Sequence, residues 1–416
     1  MKRLKVFLSF NQDDEIFVGE IAEREHRIYF QYSPDFLTKS LWLSPYKLPP
    51  GPELFEHKDR EFGPIFGLFD DSLPDGWGLM LMDRFLRSHG LLTEQLSVLD
   101  RLSLLGSNTM GALTYTPVLE IESSDTHHFD LYSLYIHSQE LITGKTQTVL
   151  AEMIKAGGSP GGARPKVLVG VSGDNLISGE GILPEGFSHW IIKFNANNDF
   201  IDSGPVEYAY SLMAKECNII MPETRLFNTE QGNQFFGVKR FDRVNNKRYH
   251  SHTFGNLIHS NFRIPTCDYE MFFRLINDLT KNQQDLLHGF RQMVFNVFAY
   301  NRDDHVKNFA FIMDRKGEWS LSPAYDLTFS PGPGGEHSMT IDGEGKSPSK
   351  EDIIRLGEKS GLKKKDISLI IDEIAQVVTN WPEYANTAGV TQATTKTIHE
   401  KIKLTLPYSR GRSLKV

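Results

Sequence analysis

Asp303, Asn308 and Asp326 have the types and spacing of a site that handles a metal ion and phosphates. Asp303 and Asn308 stand five residues apart in Asn301-Arg302-Asp303-Asp304-His305-Val306-Lys307-Asn308, and Asp326 follows 18 residues later. A carboxylate can accept or orient the proton of an attacking hydroxyl, and an amide oxygen nearby can bind a metal without adding charge. Mg²⁺ prefers hard oxygen ligands and keeps several waters, so an Asn and an Asp suffice as protein ligands. D-x-x-x-x-N followed by a second acid is the pattern of phosphoryl transfer. The competing reading is a loop whose Asp and Asn cap helices. The surrounding run, Phe295 to Leu327, is apolar, yet it also holds Asn301, Asp304 and His305. Leaving such groups buried and unpaired costs on the order of 1–3 kcal/mol each, so partners are expected.

Phosphate-facing candidates lie upstream. Lys193 ends the β-branched stretch His189-Trp190-Ile191-Ile192-Lys193-Phe194, where a strand lysine could reach nucleotide phosphates. An edge-strand lysine that blocks aggregation is the alternative. Glu207, 14 residues on, is placed either to pair with Lys193 or, in the first turn of a helix, to favour the helix dipole. Gly157-Gly158-Ser159-Pro160-Gly161-Gly162-Ala163-Arg164-Pro165-Lys166 precedes a strand. Its glycines let backbone N–H groups approach phosphate closely, although it is not a Walker A loop. Phe236-Gly237-Val238-Lys239-Arg240-Phe241-Asp242-Arg243 could supply an adenine-side hinge, or be a strand with an Asp–Arg surface pair worth about 0–1 kcal/mol.

The elements that must position these residues follow from periodicity. Strands are predicted at 4–10, 16–21, 27–32, 112–118, 167–171, 189–194, 224–228, 235–241, 309–313 and 318–321. Helices are predicted from Trp77 to Arg87, at 96–104, 129–142 and 206–217, from about 269 to 300, and at 351–361 and 366–379. Residues 330–347 read as a Pro/Gly-rich loop, and the polar segment 120–128 as a domain boundary. The division expected is 1–122, a small β-rich unit with helices; 129–268, with the phosphate loop, the lysine strand and the hinge; and 269–416, helical, with the acid loop. The fold class is α+β, two-lobed around one nucleotide cleft.

Composition narrows the class. The 416 residues are 39% hydrophobic and 24% charged, as in an ordinary globular protein. A net charge of −8 argues against a surface that grips DNA by bulk electrostatics. The two cysteines, Cys217 and Cys267, form no metal-ligand cluster or disulfide framework. The short basic start lacks a signal-peptide pattern, and no apolar run is long enough to span a membrane. A cytoplasmic protein is expected.

Together the motifs resemble the HipA family of serine/threonine kinases, the toxin halves of bacterial toxin–antitoxin modules. Leu73-Pro74-Asp75-Gly76-Trp77-Gly78 and Met110-Gly111-Ala112-Leu113 match the N-terminal part. GGARPK (161–166), HWIIKF (189–194), VEYAYSLMA (206–214), VKRFDR (238–243), NRDDHVKN (301–308) and LSPAYD (321–326) follow in family order. The resemblance implies a kinase-like fold, ATP and Mg²⁺ as cofactors, Asp303 as catalytic aspartate, Asn308 and Asp326 as metal ligands, and Lys193 as the phosphate lysine. It places Gly161, Gly162, Ala163 and Lys166 in the phosphate loop and Lys239, Arg240 and Phe241 in the hinge; His305 and Lys307 are further nucleotide-binding candidates, with His305 expected to be structural or to hold the loop. Ser159 falls where the family autophosphorylates and inactivates itself. A HipB-like DNA-binding antitoxin, through it operator DNA, and an aminoacyl-tRNA synthetase as substrate are the implied partners, with no membrane. Arg164-Pro165 departs from the better-known members, and Asp304 is a small residue in some, which leaves open which of Asp303 and Asp304 is the base. A catalytically weak antitoxin-docking co-repressor and a small-molecule phosphotransferase are the alternatives.

Overall fold

A computed structural model describes residues 2–88, 90, 96–119, 130–146, 153, 161–196 and 202–407. The chain divides into two compact units. The first comprises 1–199, 227–259 and 312–318, and the second 200–226, 260–311 and 319–416.

The first unit carries two sheets. One is five-stranded, in the order Phe55–Glu56, Arg27–Tyr32, Asp14–Arg24, Lys2–Asn11, Leu113–Thr116. Its strands are longer than their apolar alternation suggested, because the first two form one hairpin paired from Lys2–Glu23 to Asn11–Asp14. The second sheet runs Asn175–Ser178, Lys166–Ser172, Ser188–Lys193, Gln234–Lys239, Thr224–Asn228. Side chains alternate across it with period two. Val167, Val169, Val171, Trp190, Ile192, Phe194 and Phe235 face a core closed by Trp77, Leu81 and Phe85 of the helix Gly76–Ser88. Lys166, Leu168, Ile191, Lys193 and Phe236 are thereby sent to the other face. Lys193 stands on a strand paired on both sides, with Lys166 and with Phe236. The edge-strand reading of this lysine is therefore wrong.

The second unit is mainly helical. Tyr269–Thr280 begins at Asp268, whose side chain accepts from the Glu270 N–H, and Gln283–Phe298 begins at Asn282, which accepts from Gln284. Such caps satisfy N–H groups that the helix cannot. Gln283–Phe298 buries Leu286, Phe290, Met293, Val294, Val297 and Phe298, the spacing of a helix covered on most of its sides. Lys350–Lys359 starts with a Ser349/Asp352 capping box, and Lys364–Thr379 follows it. Two helices unread in the sequence, Trp381–Ala388 and Gln392–Thr405, complete the unit. The last is pinned at its start by buried Asp202, which accepts from the Thr391 N–H at 2.7 Å and the Thr394 hydroxyl at 2.9 Å.

Candidate active site

The phosphate loop is held from the N-terminal part of its own unit. Asp75 accepts from the Gly162 N–H, the Trp77 N–H donates to the Gly162 carbonyl at 3.1 Å, and the Trp77 indole donates to the Lys166 carbonyl at 3.2 Å. Gly76 has φ +43°, and a Cβ there would lie 2.6 Å from the Gly162 oxygen. Gly162 itself has φ +100°, and a Cβ there would lie 2.6 Å from the Lys166 Nζ. Both positions need the missing side chain. Lys166 is buried and donates to the Gly161 carbonyl. Gly161, Gly162 and Ala163 are exposed. Gly157, Gly158, Ser159 and Pro160 lie outside the described residues.

The segment after Gln234–Lys239 differs from the surface pair expected. Asp242 is fully buried, and Arg240 and Arg243 are nearly so. Arg240 clasps Asp242 at 2.9 and 2.6 Å, and Arg243 adds a contact at 2.8 Å. Burial raises the Asp242 carboxyl, but Arg240 and Arg243 outweigh it and hold the group well below the usual range. Burial, with the same two arginines, pushes His189 down to about 4. The Arg240 guanidinium is taken by Asp242 and so is not available to a ligand. Lys239 pairs across the strands with Trp190, so its side chain leaves on the face opposite Lys193.

In the second unit the acid loop separates its two aspartates. Asp303 is exposed, whereas Asp304 is buried at 1% exposure. Asp304 accepts from the Tyr269 hydroxyl, from His337 Nδ1 and from the Ser338 N–H, each at 2.8 Å. Burial, and then the charge of Asp304, raise the Tyr269 phenol well above its ordinary value and keep it a donor. Asn308 donates its Nδ2 to the Asp303 carbonyl at 2.6 Å. Of the two amide atoms, Oδ1 is the one with lone pairs that a metal ion could use. The Tyr325 hydroxyl donates to the Lys307 carbonyl at 2.7 Å, which ties the residue before Asp326 to the residue before Asn308. Asp326 has φ +57°. An amide oxygen and a carboxylate, both hard donors, fit Mg²⁺.

His305, not Asp303, caps the short turn Val306–Asn308: its Nδ1 accepts from the Lys307 N–H at 3.2 Å. The Lys307 ammonium stands 5.1 Å from the Phe262 ring centroid. Glu207 lies in the second turn of Ser203–Glu216 and is buried at 2% exposure, so the first-turn dipole reading does not apply.

Family models match both parts of the chain. A HipA-like C-terminal domain covers residues 158–381, and a HipA N-terminal domain covers 12–116. The chain belongs to the HipA family. A curated relative from Sinorhizobium fredii (strain NBRC 101917 / NGR234), Y4dM, is 25% identical over 207 residues, 45% of this chain and 49% of the relative. The chain thus spans about half the length of that relative. HipA of Shewanella oneidensis MR-1, solved with HipB and its operator DNA, aligns with a TM-score of 0.70 at 16% identity over 97% of this chain and 96% of that one. That likeness is one of fold. Among the described residues no helix is long and apolar enough to cross a membrane.

Several residues of this HipA-family chain escaped the sequence reading. Asp75, Gly76 and Trp77 stood out as a signature, but nothing local tied them to the phosphate loop. Tyr269, His337 and Ser338 reach Asp304 from 33 to 35 residues away, and a buried carboxylate seeking partners was the only hint of them.

Proposed function

We propose that the chain is an ATP- and Mg²⁺-dependent serine/threonine protein kinase acting as the toxin of a toxin–antitoxin module. The observation that carries this is the acid loop: one aspartate exposed, its neighbour locked, and Asn308 fixed to the loop backbone through its Nδ2, with Tyr325 tying the segment before Asp326 to Lys307. On this reading Asp303 accepts or orients the proton of the substrate hydroxyl. Lys193, with Lys166 shaping the loop of Gly161, Gly162 and Ala163, meets the phosphates. Glu207 is a candidate partner for Lys193. Bound through Asn308 and Asp326, Mg²⁺ would neutralise charge on those phosphates. The backbone of Lys239, Arg240 and Phe241 meets the base, and His305 and Lys307 flank the nucleotide. Removing one such group typically costs on the order of 3–4 kcal/mol of transition-state stabilisation.

The substrate is a cellular protein, by family resemblance an aminoacyl-tRNA synthetase, and Ser159 is the site of inactivating autophosphorylation. A HipB-like antitoxin is the proposed partner, as in the Shewanella complex, with operator DNA reached through it. The test is γ-labelled ATP in cell lysate with wild type and Asp303→Ala. Labelled protein bands that require Asp303 support the reading. Label only on small molecules favours a small-molecule phosphotransferase, and no transfer with intact antitoxin binding favours a co-repressor.

A further inference from the structure

Arg302 and Asp304 are both buried, and both are bonded to one short stretch of the loop that follows the second acid. The Ser338 hydroxyl donates to the Arg302 carbonyl at 3.1 Å, and the Ser338 N–H donates to Asp304 Oδ1 at 2.8 Å. The Arg302 guanidinium donates to the Gly335 carbonyl and, at 3.1 Å, to that of Lys346. Asp303 is exposed between these two anchored neighbours. His337 is the central contact. Its side chain is 1% exposed, that of Asp304 is 0% exposed, and the two meet at 2.8 Å.

We infer that His337 is a positioning residue for Asp303, acting through Asp304, and that the glycine-rich loop around it clamps the acid loop from behind. The inference rests on the kinase reading for its catalytic meaning. A carboxylate taken from water needs donors on its lone pairs, or its burial costs several kcal/mol. Asp304 has three, and His337 Nδ1–H is one of the two that approach from the loop. The other imidazole nitrogen, Nε2, is buried without a hydrogen-bond partner among the described residues. His337 therefore contributes one directed donor. The opposite side of the clamp is polar as well. Asn296 donates to the Tyr269 hydroxyl at 3.1 Å, and Asn301 donates to Asn296 at 2.9 Å. Arg302 and Asp304, on either side of Asp303, are both buried while Asp303 is exposed. Fixing Asp304 inward thus fixes where Asp303 points outward.

Two variants test this. His337→Ala removes the donor. His337→Asn keeps one, since its amide N–H₂ can reach the place of Nδ1. With active wild type, His337→Ala should lower kcat by about 10²-fold, the order that a misplacement near 1 Å can cost, while KM for ATP stays within about threefold. His337→Asn should recover most of the loss. Amide hydrogen exchange on the full chain gives a reading that needs no activity: His337→Ala should speed exchange at 302–308, and the flanking helix Gln283–Phe298 should keep its protection. Unchanged kcat and unchanged exchange at 302–308 in folded His337→Ala would overturn the inference. So would equal defects in both variants. If wild type transfers no phosphate but exchange responds as expected, the kinase reading fails and the clamp stands.

Discussion

Lys166 and Lys193 are directly opposed on neighbouring antiparallel strands, on the face of the sheet opposite the Trp190 and Ile192 core. Lys166 turns back to the Gly161 carbonyl, whereas the Lys193 ammonium stands 5.8 Å from the Phe236 ring centroid. On the proposed reading Lys166 shapes the loop and Lys193 meets the phosphates. Lys193→Met should therefore lower kcat by about 10²-fold or more, as loss of a preorganised charge does. Lys166→Met should act mainly on KM for ATP. Initial rates over an ATP titration check both, and the reverse pattern would exchange the two roles.

Asp303 and Asp304 are neighbours in sequence with opposite surroundings, so the same substitution should do different things to them. Asp303→Asn should abolish transfer and leave the urea midpoint unchanged. Asp304→Asn should cost about 1–3 kcal/mol of stability, because one donor turns against the donors already there. Chemical unfolding run beside a phosphate-transfer assay separates the two.

Asp242 is clasped by both Arg240 and Arg243. Asp242→Asn leaves two buried guanidinium groups without their counter-charge, and breaking a buried pair costs about 3–5 kcal/mol. A lowered midpoint in urea or heat is expected. A midpoint equal to wild type would show that the backbone carbonyls of Thr109, Gly111 and Asp242 suffice to hold the arginines.

Acid should weaken the fold well before carboxylates titrate. Burial pushes His189, His250 and His288 from an ordinary value of 6.5 to about 4. Between those values the unfolded chain binds protons that the folded chain refuses, so stability falls as pH drops through this window and levels off below it. The depressed Asp242 carboxyl works lower down: its contribution is present above the ordinary carboxylate range and is lost only in stronger acid. Urea midpoints at pH 7.5, 6.0 and 5.0 should fall steadily, and a flat series would refute the neutral buried histidines.

Gly76→Ala combines strain at positive φ with a clash against the Gly162 carbonyl. It should displace the phosphate loop, raising KM for ATP and lowering the melting temperature by a few degrees, about the effect of 1 kcal/mol in a domain of this size. Unchanged nucleotide affinity would show that the loop is held elsewhere.

Local pattern alone determined a great deal here. Apolar, β-branched runs marked the strands at 167–171 and 189–194, the second carrying Lys193, and the D-x-x-x-x-N spacing marked Asp303 and Asn308, because side-chain direction and loop reach are set over a few residues. Only tertiary structure decided the rest, because it depends on which distant groups meet. A buried Asp242 and an outward Asp303 look alike in sequence; the arginines beside one and the clamp behind the other make them different. Asp304 is an equal candidate for the base in the sequence, and only the fold surrounds it with Tyr269, His337 and Ser338. Local pattern can show that a carboxylate needs partners, but only the folded chain supplies them.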